Sequence, residues 1–190
     1  SYRHSSWSPD GTQLVFAAGF SDGRDRSELY VVDVDGSGLT GITPGPLQGW
    51  WPSWSPDGTK IAFRTGLPWH LATMSPDGSN LTQFPGSADY PDWSPDGSQI
   101  IFMDRGEVFR INSDGTGRTK LTDSREPAFF PVYSPDGKQI AFRSPDCGNR
   151  PGPCLSSRGA FIFTMVIGGT DFVRIAKVDH AEDSLSWQPT

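Results

Sequence analysis

The sequence predicts an all-β fold, a β-propeller of four-stranded antiparallel blades, with four blades in 190 residues and an extra inner strand at the C-terminal end. Three observations predict it. A Trp-Ser-Pro-Asp-Gly turn recurs along the chain. Two of its spacings, 39 and 40, match the roughly 40-residue period of four-stranded blades, and the other two, 47 and 54, carry insertions. Each copy is followed by a short apolar segment in the same register, rich in the residues that favour strands.

The turn appears as Trp7-Ser8-Pro9-Asp10-Gly11, Trp54-Ser55-Pro56-Asp57-Gly58, Trp93-Ser94-Pro95-Asp96-Gly97 and Tyr133-Ser134-Pro135-Asp136-Gly137. A degenerate fifth copy, Trp187-Gln188-Pro189, closes the chain. Proline presets φ, and Asp-Gly supplies the positive φ that a tight hairpin needs. The second strands follow as Gln13-Leu14-Val15-Phe16, Lys60-Ile61-Ala62-Phe63, Gln99-Ile100-Ile101-Phe102 and Gln139-Ile140-Ala141-Phe142. Third strands are expected over 28–34, 70–74, 107–112 and 161–166. A second turn comes next, such as Asp35-Gly36-Ser37-Gly38, and then a short outer strand, Leu39–Ile42 in the first unit and Leu121-Thr122 in the third. Ser75-Pro76-Asp77-Gly78 repeats the tetrapeptide only 20 residues after Ser55 and is read as the second turn of its unit, which keeps the count at four.

This pattern, Trp-Ser-Pro-Asp-Gly-x-x-Ile-Ala-Phe followed by a third strand and Asp-Gly-Ser-Gly-Leu-Thr, resembles the TolB-like β-propeller repeat family over essentially the whole chain. The resemblance implies blades that each begin with an inner strand ending at the Trp-Ser-Pro-Asp-Gly turn. Its members include periplasmic TolB, propeller domains attached to serine peptidases and a pectin-degrading lyase, so fold alone does not name an activity. On this reading residues 1–190 form a single propeller, with blades at about 1–46, 47–86, 87–126 and 127–180 and a closing strand at 181–190. Family rings usually have six or seven blades, and this chain has five inner strands for four. A piece of a longer propeller, an open ring completed by another copy, and strand donation between chains all satisfy that count. The chain opens inside a repeat at Ser1-Tyr2-Arg3-His4, without a signal peptide, so its natural N-terminus is expected to lie outside this numbering.

Composition narrows the function. The formal charge is −6 and no basic cluster stands out, which argues against a nucleic-acid partner. No apolar run reaches the roughly 20 residues of a membrane helix. Gly 22 and Pro 17 suit a fold with many turns. Cys147 and Cys154 are expected to form a loop disulfide, with free thiols or a metal pair as the alternatives, and its closure would contribute about 2–3 kcal/mol. A disulfide places the protein outside the cytoplasm, in the periplasm or the extracellular space.

No catalytic constellation emerges. A Gly-x-Ser-x-Gly elbow is missing. His4, His70 and His180 lack metal-ligand spacing, although His180 would approach His4 if the ring closed. Asp33-Val34-Asp35-Gly36 fails as a calcium loop because Pro44 stands where the final Glu is needed. A sialidase box lacks its Gly and Trp. No catalytic residue, metal or cofactor is therefore assigned.

The binding candidates are aromatic. His4, Trp51, Tyr90, Phe130 and Ser184 stand three residues before each motif Trp or Tyr, and Trp50 and Phe129 sit beside two of them. Trp50, Trp51, Tyr90, Phe129 and Phe130 are taken as candidates to stack on a sugar or grip a peptide, with inter-blade packing as the competing role. Insertions at 18–27, 45–49 and 143–159 are expected to gather on the face opposite the Ser-Pro-Asp-Gly turns, where variable loops build binding surfaces. The expected function is a non-catalytic extracytoplasmic platform for a protein or peptide. The alternatives are a structural subunit that self-associates through its terminal strand and a lyase or hydrolase domain acting on polysaccharide.

Overall fold

The computed structural model describes residues 2–19, 27–66, 69–122, 127–145, 159–168, 172–178 and 185. Cys147, Cys154, His180, Ser184 and Trp187 lie outside the described residues, so the disulfide and the closing strand do too.

Sixteen strands are described, in four sheets of four antiparallel strands. The first sheet holds β1 (Tyr2–Trp7), β2 (Gln13–Gly19), β3 (Ser27–Asp33) and β4 (Thr40–Gly41). The second holds β5 (Gly49–Trp54), β6 (Ile61–Thr65), β7 (His70–Met74) and β8 (Thr82–Ser87). The third holds β9 (Asp89–Trp93), β10 (Gln99–Asp104), β11 (Glu107–Asn112) and β12 (Thr119–Lys120). The fourth holds β13 (Phe129–Tyr133), β14 (Gln139–Pro145), β15 (Ala160–Val166) and β16 (Phe172–Val178). Strand order follows chain order in every sheet, as hairpin-connected strands require. Among the described residues no helix is long and apolar enough to cross a membrane.

Each of the four Trp/Tyr-Ser-Pro-Asp-Gly turns closes the first hairpin of its sheet with the same bonds. In the third sheet Ser94 N donates to Gln99 O at 2.9 Å, Gln99 N donates to Ser94 Oγ at 2.9 Å, and Ser94 Oγ donates to Asp96 Oδ1 at 2.6 Å. Asp96 Oδ1 also accepts from Ser98 N at 3.0 Å. The bond from the Ser94 hydroxyl, followed by those from the Ser98 amide and hydroxyl, holds the Asp96 carboxyl at about 2. Asp10, Asp57 and Asp136 are lowered in the same way, their Ser hydroxyls being the main cause. The folded carboxyl thus lies below its unfolded value, so the unfolded chain binds more protons as pH falls. This stabilisation is present above about pH 4 and is lost as pH falls toward about 2. The thermal midpoint is expected to drop over that window, and Asp96→Asn should flatten part of the drop. A midpoint unchanged from pH 5 to pH 2 would contradict it.

The duplicated tetrapeptide at 75–78 is an internal turn between β7 and β8, with Ser75 N donating to Ser79 O at 2.8 Å. Two expected outer strands shift. In the third sheet the strand is Thr119–Lys120 and not Leu121-Thr122, because Arg110 pairs with Thr119 and Phe109 with Lys120. Thr122 instead turns inward, where its Oγ1 accepts from Val108 N at 2.9 Å. In the first sheet only Thr40–Gly41 pairs, while Ile42 drops into the core. Asp33 ends β3 and Asp35 lies in the turn that follows: Asp33 Oδ1 accepts from Gln13 Nε2 at 2.9 Å and Asp35 Oδ1 from Ser37 N at 2.9 Å.

The chain forms two compact units, Ser1–Trp93 and Ser94–Thr190. In the first, Val15, Ala17, Leu29 and Val31 of the first sheet meet Trp54, Ile61, Phe63 and Met74 of the second. In the second, Ile101 and Val108 meet Tyr133, Ile140, Phe142 and Met165. The alternation of strands makes this possible. Residues paired as Val15–Val31 point to one side of their sheet, and those paired as Ile61–Met74 point to the opposite side of theirs.

Candidate functional site: an aromatic cluster on left-handed bulges

The first strand of each sheet is broken at the same repeat position. His4, Trp51, Tyr90 and Phe130 have φ of 59, 51, 54 and 53°. Left-handed backbone is costly for bulky side chains, by roughly 1–2 kcal/mol each. Pairing slips a residue at this point, between Arg3 and Ser5, Trp50 and Ser53, and Phe129 and Val132. Such a bulge re-aims one side chain relative to an ordinary strand. Proline follows the bulge residue in three of the four copies, as Pro52, Pro91 and Pro131. It has no N–H to offer, which suits a place where the ladder is interrupted.

The bulges bring three of these rings together within the first unit. Trp51 and Tyr90 lie with centroids 4.3 Å apart, and His4 stands 5.9 Å from Trp51 and 6.3 Å from Tyr90. Trp51 and Tyr90 are half-buried and His4 is exposed. Trp50 is 5% exposed, so its ring packs inward while that of its neighbour faces the cluster. Phe129 and Phe130, both half-buried, lie 6.5 Å apart in the second unit.

Three residues absent from the sequence reading complete the cluster. The Arg64 guanidinium, at the end of β6, lies 4.8 Å from the Trp50 ring, 4.3 Å from Trp51 and 5.0 Å from the exposed Trp69. Its Nη1 donates to Asp89 Oδ1 at 2.7 Å, and the two side chains are 11% and 16% exposed. Its buried Nε has no hydrogen-bond partner among the described residues, and aromatic faces serve the cation there instead. Arg143 repeats the arrangement in the second unit, 5.3 Å from the Phe130 ring. A signal was present in the sequence: Ile-Ala-Phe-Arg occurs at both 61–64 and 140–143.

Chemically, the first cluster is an aromatic platform whose cation, Arg64, is paired with Asp89. It offers ring faces and an exposed imidazole for stacking. Among the described residues no group of three or more His, Cys, Asp or Glu side chains is placed to hold a metal ion.

Tandem four-stranded antiparallel sheets, each opening on a bulged first strand, define the class of protein. Among solved structures the chain is similar to a putative TolB from Agrobacterium tumefaciens, at 25% identity and a TM-score of 0.79 over 92% of this chain and 64% of that one. It is also similar to TolB from Acinetobacter baumannii, at 21% identity and a TM-score of 0.73 over 95% of this chain and 45% of that one. A chain of a nidogen/laminin complex shares the fold at 12% identity, with a TM-score of 0.62 over 93% of this chain and 60% of that one. The chain therefore spans less than two thirds of the length of any of these three. No protein-family model matches it, and no curated protein sequence matches it. The likeness to TolB structures covers most of the chain and agrees with the resemblance read from the repeats.

Proposed function

We propose that this chain is part of an extracytoplasmic, non-catalytic β-propeller, its four sheets acting as blades, that binds a protein through an extended peptide segment. The observation that carries the reading is the placement of His4, Trp51 and Tyr90 on left-handed bulges at one repeat position. Strain kept at equivalent positions that converge on one cluster is a mark of function more than of packing. Packing needs no such outlay, since Trp50, one residue away, is buried beside it. Proline, aromatic or aliphatic side chains of an extended segment suit the stacked rings. The similarity to TolB structures supports a periplasmic or extracellular binding scaffold.

The test is selection of random peptides displayed on phage against the protein, followed by affinity measurement on Trp51→Asn and Tyr90→Asn variants. Asparagine tolerates left-handed backbone, so the bulge is kept and only the ring is lost. Each variant is expected to weaken the selected peptides at least roughly tenfold, in line with the loss of an aromatic anchor. Peptides that bind wild type and both variants equally would place the binding surface elsewhere.

A further inference from the structure

One position of the repeat is filled differently in the second sheet. It stands two residues before Leu29, Leu71, Val108 and Ile162, which pair with Ala17, Arg64, Met103 and Arg143. Ser27, Gly106 and Ala160 occupy it in the first, third and fourth sheets, and Ser27 and Ala160 are buried. Trp69 occupies it in the second sheet and is 48% exposed. The backbone bonds in the same way with or without the ring. Trp69 O accepts from Ala88 N at 3.1 Å, and Gly106 O accepts from Ala128 N at 2.6 Å. The fold thus uses the carbonyl at this position and does not require a large side chain there.

Although exposed, Trp69 sits on anchored backbone. The N–H of the next residue, His70, donates to Oγ1 of buried Thr65 at 3.1 Å, and His70 Nδ1 lies 3.2 Å from Gly86 O. The Arg64 guanidinium lies 5.0 Å from the Trp69 ring and 4.3 Å from that of Trp51, and Trp51 lies 4.3 Å from Tyr90. One guanidinium, itself bonded to Asp89 at 2.7 Å, therefore joins Trp69 to the aromatic cluster. A ring held in this way loses little freedom when something stacks on it.

Resting on the peptide-binding reading above, we propose that Trp69 is a second anchor of that site and that the bound segment is proline-rich, in the polyproline II conformation. One proline stacks on Trp51 and Tyr90, and another on Trp69. A segment added as a β-strand would bond to the main-chain N–H and C=O groups of β5 or β9. Pro52 and Pro91, each next to a bulge residue, have no N–H to give. A polyproline II segment needs no such bonds and is recognised by aromatic side chains against its prolines. It repeats every three residues, roughly 9 Å, so prolines at i and i+3 face the same way. Two rings parted by one guanidinium lie within that reach. Because Arg64 is paired with Asp89, the platform favours an uncharged segment over an acidic one.

Isothermal titration calorimetry with decaproline tests this, with a glycine–serine decapeptide and a β-1,4-linked glucose hexamer as controls. Wild type, Trp69→Ala and Trp69→Phe are compared. Trp69 is exposed and small residues fill its position in the other sheets, so both variants are expected to fold as wild type does by circular dichroism. Wild type is expected to bind decaproline and neither control. Trp69→Ala is expected to bind it at least roughly tenfold more weakly, and Trp69→Phe, which keeps a ring face, within about threefold of wild type. An affinity unchanged in Trp69→Ala would overturn the proposal. So would a wild type that ignores decaproline, whether or not it binds the glucose hexamer. The peptides selected on phage separate this outcome from failure of the peptide-binding reading. If they depend on Trp51 and Tyr90 but not on Trp69, the second anchor is refuted and that reading stands. If they depend on none of the three, both fall.

Discussion

Replacing Phe63 by alanine is expected to destabilise the protein by about 4 kcal/mol. Phe63 is 0% exposed and pairs across the second sheet with Ala72. It lies in the cluster where Val15, Leu29 and Val31 meet Trp54, Ile61 and Met74. Both layers around it are strand side chains held by ladder hydrogen bonds, so neither can collapse far into the space left behind. The cost therefore includes most of the cavity term as well as the lost burial. In urea denaturation the change should appear as a lower midpoint with an unchanged slope. A loss below about 1.5 kcal/mol would mean that the junction repacks freely, contrary to a close-packed interface.

The second large effect concerns backbone. Gly78→Ala is expected to cost about 3 kcal/mol, whereas Gly11→Ala should cost only about 1. Both glycines end the same tetrapeptide, and both have positive φ, +82° and +70°. Both substitutions therefore carry the penalty of a Cβ in left-handed backbone. The difference lies in the surroundings. A Cβ at Gly78 would collide with the main-chain oxygen of Ile42, while one at Gly11 meets nothing within 4 Å. Ile42 cannot easily retreat, since its N–H donates to Leu29 O at 2.8 Å and its side chain is 3% exposed. Equal costs for the two variants, measured by the same denaturation, would show that the main chain at Ile42 yields without penalty.

The pair of glycines also marks how far the repeats could be read. Ser-Pro-Asp-Gly specifies a hairpin through bonds that stay within a few residues, so each copy was legible as a turn. Its spacing separated the turns that open each sheet from the internal one at 75–78. Alternation after each turn likewise placed the second strands, because burial on one side of a sheet has a period of two. The outer strands were less legible. Two-residue strands such as Thr119–Lys120 depend on which carbonyls the neighbouring strand leaves available, and Thr122 was captured by Val108 N instead.

The candidate site was half visible. His4, Trp51, Tyr90 and Phe130 fall in one column of the repeat, and that column proved to be the bulge position. Nothing local distinguished Trp50 from Trp51. Which of two adjacent rings faces the cluster is decided by a one-residue slip in pairing, and a slip sends a side chain to the other face. Arg64 and Asp89 were missed because they belong to different strands, 25 residues apart, and meet only when β6 and β9 come together. Their repeat-encoded signal, Arg after Ile-Ala-Phe, becomes meaningful once the ring beneath the guanidinium is known.

By itself the sequence determined the all-β class, the four repeating units, the turn chemistry and the column of aromatic residues, since each follows from short-range bonding and a period of two. The tertiary structure decided which rings converge and which motif Trp is left exposed. Those outcomes depend on what each face meets. Trp7 and Trp54 have the same local sequence, but among the described residues Trp54 is packed into the core shared by the first two sheets and Trp7 is exposed. Burial is a property of neighbours in space, and a motif repeated with nearly the same residues does not state what each of its copies meets.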